Sequence, residues 1–381
     1  MKSKLAILLS HPVQYYSPLF VALSKAIELK VFYAFQPDPN QQGKEGFGKA
    51  FQWDIDLLEG YSYEFVANIA ARPTSASYAG CDTPSLGERL EEYGTTHIVS
   101  FGWHLKMYRQ ALAYAKKNKI PIAVRGDSQL NPQLPKWKKI IKKLYYPYFL
   151  SQYDAFLSVG QRNKEYLKYY GVPERKIIFS PHAIDQAFWK VPRKQERGSF
   201  VFVWVAKFIP KKRPLDVIQA FKKMLAEDAN LEEKVLLQMV GSGELLEEAK
   251  AHAKDCKQIQ FLGFKNQTEL RDIYVNSDCL LLSSNYEETW GLVVNEAFAC
   301  GVPAIVSDAC GCGPDLVDKT TGCIYALGNI NSLVFCLRSM LKKLSTEEDA
   351  NNLKEAIKQK NSLYSYKKVV ESIKYFLEQS N

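Results

Sequence analysis

Short apolar strands alternate with helical stretches along almost the whole chain, and this alternation limits the possible folds more than any other feature. The segments "KLAILLS" (4–10), "THIVSFG" (96–102) and "IPIAVRGD" (120–127) read as strands, whereas "HLKMYRQALAYAKKN" (104–118) reads as a helix. Strands that are separated by helices pair in parallel and are covered by helices on both faces. The sequence therefore predicts an α/β protein.

The alternation restarts after a polar stretch, "WKVPRKQERGS" (189–199), which reads as a linker. Two similar domains, each with a parallel sheet, and a cleft between them are the simplest architecture for 381 residues. Ligands of such sheets bind beyond the carboxyl ends of the strands. We predict a Rossmann-like domain over residues 1–190, a second one over 191–364, and a last helix over 365–381 that packs on the first domain.

Composition is that of a globular protein, with 46% hydrophobic and 24% charged residues. No apolar run reaches the roughly 18–20 residues that a membrane-spanning helix needs. The eight cysteines form no C-x-x-C pair, and Cys310 and Cys312 are too close for ordinary zinc spacing. Most of the cysteines therefore read as buried thiols of a reduced, cytoplasmic protein.

Charge is distributed unevenly between the two halves of the chain. Residues 1–190 hold 25 Lys and Arg against 16 Asp and Glu, whereas the second half is balanced. The excess can be chance combined with solubility, or the first half can bind an anionic partner. We expect no nucleic-acid partner.

Two glutamates bracket a glycine in "NYEETWGLVVNEAFACGVPAIVSD" (285–308). If "CLLLSS" is a strand and a helix begins near Gly291, Glu288 lies in the loop at the carboxyl end of the strand. The free N–H groups of Gly291 and Leu292 then suit a phosphate. Glu296, a turn and a half into the helix, can accept two hydroxyl hydrogens from a ribose diol. The alternative is an exposed Glu288 and a solvated Glu296.

This segment resembles the donor-binding signature of retaining glycosyltransferases of family four, which have the GT-B fold. Glu288 and Glu296 have the spacing of the family's two glutamates, and Trp290-Gly291 takes the place of its aromatic-glycine pair. The resemblance covers nearly all of residues 198–325. It implies that Glu288 contacts the transferred sugar and Glu296 the ribose. It also implies donor contacts from Gly241, Phe264, Lys265, Trp290, Gly291, Leu292 and Val293.

"VAKFIPKKRPLDVIQAF" is similar to the family segment whose Arg and Lys hold the donor diphosphate, with Lys207 in the Arg place and Lys212 in the Lys place. Two fixed cations would stabilise the charge of the leaving diphosphate without a metal. Lys207 can instead be a surface residue, and a neighbour can replace Lys212. We expect no metal and no cofactor, because the Asp-x-Asp sequence at residues 54–56, which could suggest a metal site, lies outside the donor signature.

The first half resembles the family more weakly. The loop "SHPVQYYSP" has no glycine where the family has a Gly-rich loop, so His11, Gln14 and Tyr15 are candidates for side-chain hydrogen bonds to donor or acceptor. Asp127 falls near the place of a histidine that faces the transferred sugar. Arg125 and Asp127 can orient sugar or acceptor hydroxyls, or they can pair with each other; His11 can also be structural.

The resemblance implies a retaining, metal-independent glycosyltransferase that uses a nucleoside-diphosphate sugar, in bacterial cell-surface glycan synthesis. A nucleotide-sugar epimerase and a catalytically inactive nucleotide-sugar-binding module are the alternatives. A dinucleotide oxidoreductase is disfavoured, because "VGSGE" lacks the third glycine of G-x-G-x-x-G.

A basic and aromatic stretch, "PKWKKIIKKLYYPYFL" (135–150), has apolar residues at helical spacing and no acid among its lysines. Its apolar face can pack on the core of the first domain. Alternatively, residues 136–148 form an interfacial helix that binds anionic lipid or a lipid-linked acceptor, at the inner face of the plasma membrane.

Overall fold

Two parallel sheets, one in each of two compact units, form the framework of the protein. The computed structural model describes residues 3–37, 56–192 and 198–379. Of these residues, 3–37, 56–184 and 365–379 form unit 1, and the rest form unit 2. The prediction of an α/β fold with two Rossmann-like domains is confirmed.

The sheet of unit 1 has seven strands in the order β3-β2-β1-β4-β5-β6-β7, and every pair is parallel. Alternate residues of a strand point to opposite faces, so Leu8 belongs to one hydrophobic core and Ile7 to another. Helices cover both faces, and this explains why β1 is apolar and buried from Leu5 to Leu9. The strands are β1 (Lys4–Leu9), β2 (Glu28–Tyr33), β3 (Tyr63–Phe65), β4 (His97–Ser100), β5 (Ile122–Gly126), β6 (Ala155–Ser158) and β7 (Ile177–Phe179).

In the described part of unit 1, five α-helices lie between these strands. They are α1 (Ser17–Ser24), α2 (Leu86–Tyr93), α3 (Lys106–Asn118), α4 (Lys136–Ser151) and α5 (Gln161–Tyr169).

The sheet of unit 2 has six parallel strands in the order β10-β9-β8-β11-β12-β13. Its order reverses between β8 and β11, which are direct neighbours, as the order of the first sheet does between β1 and β4. The strands are β8 (Phe200–Val205), β9 (Val235–Val240), β10 (Ile259–Gly263), β11 (Cys279–Leu282), β12 (Ala304–Ser307) and β13 (Gly322–Tyr325).

Helices of unit 2 and the last helix of the chain complete the described structure. The last helix belongs to unit 1, where Ser372 on it donates a hydrogen bond to Ser180 (2.8 Å). The helices are α6 (Gln186–Trp189), α7 (Pro214–Glu227), α8 (Leu246–Ala253), α9 (Gln267–Val275), α10 (Leu292–Ala299), α11 (Gly313–Leu316), α12 (Ile330–Lys343), α13 (Glu347–Ser362) and α14 (Tyr366–Gln379).

Two features of the sequence fall partly outside the described residues: the linker 189–199, whose residues 193–197 are not described, and Asp54 of the Asp-x-Asp sequence. Of the eight cysteines, six are thiols, and five of these are buried, as the sequence predicted for most. Cys323 and Cys336 instead form a disulfide between β13 and α12, which the sequence did not indicate.

Helix α4 leaves its apolar side chains in solvent. Of its 16 residues, only Phe149 and Leu150 are buried. The hypothesis that its apolar face packs on the core is wrong, because the side chains of that face are exposed: Trp137 60%, Ile140 60%, Ile141 56%, Leu144 77%, Tyr145 45% and Tyr148 72%. No helix among the described residues is both long enough and apolar enough to cross a membrane.

Candidate active site

Two loops of unit 2 carry the predicted lysines and Glu288. Lys207 follows β8, and Glu288 follows β11, the strand beside β8 at which the order of the sheet reverses. In a parallel sheet, the loops on either side of such a point diverge and leave a crevice beyond the carboxyl ends of the strands. The two loops therefore occupy the usual ligand-binding position of this fold.

Hydrogen bonds hold the two loops together. The indole N–H of Trp204 donates to Ser283 Oγ (2.9 Å), and Ser283 Oγ donates to the main-chain oxygen of Lys212 (2.6 Å). The main-chain N–H of Asn285 donates to the oxygen of Lys211 (2.8 Å). Because Trp204 and Ser283 are buried, this connection is protected from water, and the loops support one another.

Glu288 is held by two neighbours. Lys212 Nζ forms an ion pair with Glu288 Oε2, and Ser284 Oγ donates to the same oxygen (2.8 Å). The side chains of Lys212 and Glu288 are only 17% and 13% exposed. Glu288 is therefore not the exposed loop residue that the sequence left open, and its carboxylate has a defined orientation. Ser284 was not identified from the sequence, where it reads only as the end of a strand.

Three lysines make the loop after β8 a place where an anion is favoured. Burial lowers the pKa of Lys207, and the charges of Lys211 and Lys212 lower it further. Like charges near a partly buried ammonium raise the free energy of its charged form, and an anion among them would reverse that effect. Sequence reasoning selected Lys207 and Lys212 but not Lys211.

Glu296 lies on α10, where its Oε2 accepts a hydrogen bond from the hydroxyl of Tyr274 (3.1 Å). Burial raises the pKa of Glu296 to about 7, and the Tyr274 hydrogen bond lowers it in part. The carboxylate is therefore desolvated and accepts a hydrogen bond from a neutral donor, the Tyr274 hydroxyl. Further hydrogen-bond donors, such as the hydroxyls of a ligand, would stabilise the charged form of such a carboxylate. Tyr274 precedes the signature and was not found from the sequence.

Gly291 gives the turn from the Glu288 loop into α10. Its φ of +109° lies in the region that favours glycine, and a Cβ there would come within 2.6 Å of Leu282 Cδ2. The helix begins at Leu292, as the sequence predicted. The first N–H groups of a helix, here those of Leu292 and Val293, have no intrahelical acceptor and favour an anion.

The side chain of Trp290 points into the protein. It is 3% exposed, and its indole N–H donates to Asn295 Oδ1 (2.8 Å), which is also buried. The donor contact expected from Trp290 stays a prediction. The tryptophan fixes the loop against α10. The buried partner Asn295 was not recognised from the sequence.

Three other expected donor residues lie on the loops after β9 and β10. Gly241 has a φ of +136°, and a Cβ there would come within 1.9 Å of the oxygen of Ala206, next to Lys207. The β9 loop therefore closely approaches the β8 loop. Phe264 and Lys265 follow the edge strand β10, and Lys265 pairs with Glu269 (2.7 Å).

In unit 1, Arg125 is a buried structural residue. It is 2% exposed, and its guanidinium donates to Ser180 O (2.5 Å), Ser180 Oγ (2.7 Å) and Pro181 O (2.8 Å). These bonds tie the end of β5 to the segment after β7. These bonds engage the enclosed guanidinium, and a contact of Arg125 with acceptor hydroxyls stays a prediction.

Asp127 lies beside a histidine that sequence reasoning did not select for the site. Asp127 is 47% exposed, and its Oδ2 is 3.9 Å from Nε2 of the buried His182. Burial lowers the pKa of His182, which Asp127 partly opposes. The pairing of His182 with Asp127 depends on β5 and β7 ending at the same edge of the sheet.

The loop after β1 carries His11, Gln14 and Tyr15. His11 Nδ1 is 2.9 Å from Ser10 Oγ, and its ring is 5.3 Å from that of Phe35. The ring of Tyr15 packs against Tyr16 at 4.4 Å, and burial raises the pKa of Tyr15 well above its usual value. Gln14 lies in the turn before α1 and is partly buried.

The residues that the structure describes contain no group of three or more His, Cys, Asp or Glu that could hold a metal ion.

Residues 185–360 match the family model "Glycosyl transferases group 1". The chain is 27% identical over 184 residues to glycogen synthase of Mycobacterium tuberculosis, which covers 47% of this chain and 43% of that protein. It is 30% identical over 146 residues to UDP-Gal:alpha-D-GlcNAc-diphosphoundecaprenol alpha-1,3-galactosyltransferase of Escherichia coli, covering 37% and 36%. The chain therefore matches less than half the length of these relatives.

The whole chain is similar in fold to Anabaena HepE in complex with UDP-glucose. The TM-score is 0.70 and the sequence identity is 14%, and the match covers 99% of each chain.

Proposed function

We propose that the chain is a retaining glycosyltransferase that uses a nucleoside-diphosphate sugar, because residues 185–360 match the family model "Glycosyl transferases group 1". The Glu288–Lys212 pair carries this proposal. It joins a sugar-binding carboxylate to a phosphate-binding cation beyond the carboxyl ends of β8 and β11. The spacing of Glu288 and Glu296, which resembles that of the family's two glutamates, favours transfer over epimerisation.

The donor would span the loops after β8 and β11. Lys207 and Lys212, with the N-terminus of α10, would bind the diphosphate and stabilise the charge that grows as the glycosidic bond breaks. Glu288 would contact the transferred sugar, and Glu296 the ribose diol. Because these lysines supply the positive charge, we propose that the reaction needs no metal ion.

Retention requires either attack on the face from which the leaving group departs or a covalent intermediate. We favour front-face attack, in which the leaving phosphate accepts the proton of the acceptor hydroxyl. Asp127, half exposed beside His182, would orient sugar or acceptor hydroxyls.

A panel of nucleoside-diphosphate sugars tests the proposal. We expect one nucleoside-diphosphate sugar of the panel to release its nucleotide slowly in the absence of an acceptor. A chelator should not change the rate of this release. Isomerised nucleotide sugar would instead indicate an epimerase, and binding without release would indicate an inactive module. Loss of activity with chelator, restored by magnesium or manganese, would contradict a metal-independent reaction.

We further propose a bacterial cell-surface glycan as product, and an acceptor with an anionic lipid carrier. The relative from Escherichia coli is named for an acceptor on diphosphoundecaprenol. The positive charge of the first half of the chain suits such an acceptor. The thiols and the nucleotide-sugar donor favour a cytoplasmic location, at the inner face of the membrane.

Helix α4 would bring the enzyme to an anionic membrane. Its exposed apolar face carries Trp137 and Leu144, and its lysines extend beside the aromatic rings: Lys138 Nζ is 5.3 Å from the ring of Trp137. An apolar face flanked by cations is typical of helices that lie in the membrane interface.

Replacement of Lys138, Lys139, Lys142 and Lys143 by serine should weaken binding to anionic vesicles by about 100-fold or more. Each lysine near such a surface contributes about 1 kcal/mol. Co-sedimentation with vesicles containing anionic lipid at low salt measures the change. A blue shift of tryptophan emission that disappears in Trp137→Phe would report insertion of the helix.

The matched control replaces four exposed lysines elsewhere in unit 1 by serine, namely Lys25, Lys116, Lys117 and Lys119. It removes the same charge and should retain binding. Wild-type protein that does not bind these vesicles would contradict the proposal and favour a soluble acceptor.

A further inference from the structure

A cavity of about 510 Å³ lies in unit 2 at the amino ends of β11 and β12. Asp278 directly precedes β11 and Pro303 directly precedes β12, and both line the cavity. Glu288, in contrast, follows the carboxyl end of β11. The cavity and the proposed donor site therefore lie at opposite ends of the same strands, so the cavity has no part in the donor chemistry.

The floor of the cavity is apolar. Val191, Ala299 and Leu344 line the cavity and are partly exposed. The lining also includes Phe298 on α10, Val302 after it, and Leu353 and Ile357 on α13, none of which is more than 4% exposed. An apolar cavity of this size is within the roughly 300–1,000 Å³ typical of small-molecule sites. A hydrocarbon chain would gain free energy by leaving water for this surface.

Three exposed lysines line the same cavity: Lys190, Lys354 and Lys358. Among the residues that the structure describes, the one carboxylate that lines the cavity is that of Asp278, whose Oδ2 accepts a hydrogen bond from the main-chain N–H of Val201 (2.9 Å). Lys358 also pairs with Glu355 (3.2 Å), so the net positive charge rests mainly on Lys190 and Lys354. This charge selects an anionic group at the opening.

One buried amide in the lining also lacks a partner. Asn361 is 5% exposed, and its Oδ1 has no hydrogen-bond partner within the described part of the chain. Its main-chain oxygen accepts from Gln186 Nε2 (2.8 Å), which fixes its position beside α6. A buried acceptor without a partner costs free energy, and a hydroxyl donor on a ligand, such as that of a singly protonated phosphate, would offset that cost.

We propose that this cavity is a binding site for a single-chain anionic amphiphile. The hydrocarbon chain would occupy the apolar floor between α10 and α13. A carboxylate or phosphate headgroup would lie at Lys190 and Lys354. The site would require a ligand with one anionic headgroup on one hydrocarbon chain, and both a fatty acid and an alkyl phosphate meet this requirement.

The test must separate this cavity from α4, which also combines apolar surface with lysines. We would therefore use the variant that replaces Lys138, Lys139, Lys142 and Lys143 by serine as the background. Decyl phosphate and decanoate, below their micelle concentrations, are titrated by calorimetry. We expect one bound molecule per chain for at least one of them, and at least tenfold weaker binding of decanol.

Cys300 reports occupancy of the site itself. It lines the cavity and is partly exposed, whereas the other five thiols are buried. Saturating ligand should slow its modification by methyl methanethiosulfonate at least fivefold, and Cys300→Ser identifies the signal. Lys190→Ser with Lys354→Ser should weaken binding at least tenfold, and Ala299→Trp should block the cavity.

A control with Lys222→Ser and Lys250→Ser, two lysines that do not line the cavity, should bind as the background does. Absence of Cys300 protection would overturn the proposal, as would unchanged affinity in the Lys190 and Lys354 double variant. Equal binding of decanol would overturn the anionic selectivity. None of these outcomes depends on sugar transfer.

Discussion

Glu288→Gln is expected to lower kcat by about 100-fold or more, with donor affinity changed by less than about threefold. Positive charge develops on the sugar as its bond to the diphosphate breaks, and a fixed carboxylate stabilises that charge more than it stabilises the ground state. Groups aimed at developing charge typically contribute about 10²–10³ in kcat. Steady-state kinetics with the donor found in the nucleotide-sugar panel measures the loss, and nucleotide binding is measured separately.

Glu287→Gln is the matched control. Glu287 is exposed and adjacent, so its replacement removes the same charge from the same loop but should leave kcat unchanged. Because Glu288→Gln also removes the ion pair with Lys212, thermal unfolding of both variants shows whether the loop still folds. A loss confined to KM would assign Glu288 to ground-state binding and contradict its role in the reaction step.

The fold could be predicted from local patterns. Apolar strands such as "FVFVWV" are short, rich in valine and phenylalanine, and separated by helices, and a chain of this kind has few alternatives to parallel sheets. The positions of Lys207 and Glu288 followed from the same reasoning, because a residue directly after a strand of a parallel sheet lies at its ligand-binding edge.

What the sequence could not give were the directions of the side chains. Trp290 stands in the donor signature, yet its indole finds a buried acceptor on Asn295, five residues later. Arg125 is at the end of β5, where an acceptor contact was expected, yet it bonds to carbonyls more than 50 residues away. In each case the hydrogen-bond partner that sets the direction of the side chain lies on another element of the fold. A local sequence pattern therefore cannot predict that direction.

Helix α4 shows that a clear sequence pattern can still leave the environment of a helix undecided. Its pattern of apolar and basic residues fits both a core helix and an interfacial one, because periodicity defines a face but not what covers that face. Only the exposure of residues such as Leu144 and Tyr148 decides against the core.

Glu296→Ala is expected to weaken binding of the donor nucleotide by about 10- to 100-fold. The ribose diol would lose a charged acceptor, and a hydrogen bond to a charged group contributes about 1.5–3 kcal/mol. Calorimetry with the nucleoside diphosphate of the preferred donor measures the loss. Affinity of the wild-type level in this variant would contradict the ribose assignment.

The raised pKa of Glu296 gives this prediction a second, independent signature. Since that pKa is about 7 in the free protein, half of the molecules carry a proton on Glu296 near neutral pH. The diol donates to the carboxylate and so favours its ionised form. Nucleotide affinity should therefore rise with pH between about 6 and 8 and level off above, whereas Glu296→Gln should bind more weakly with no such rise.

Stability should change in the opposite direction. The unfolded chain ionises Glu296 at the usual pKa near 4.5, so the contribution of Glu296 to the free energy of unfolding falls as the pH rises from about 4.5 to 7. Glu296→Gln removes the desolvated charge and should raise the unfolding temperature at pH 8 relative to the wild type. A variant that is more stable yet binds nucleotide less well would show that Glu296 is retained for binding and not for folding.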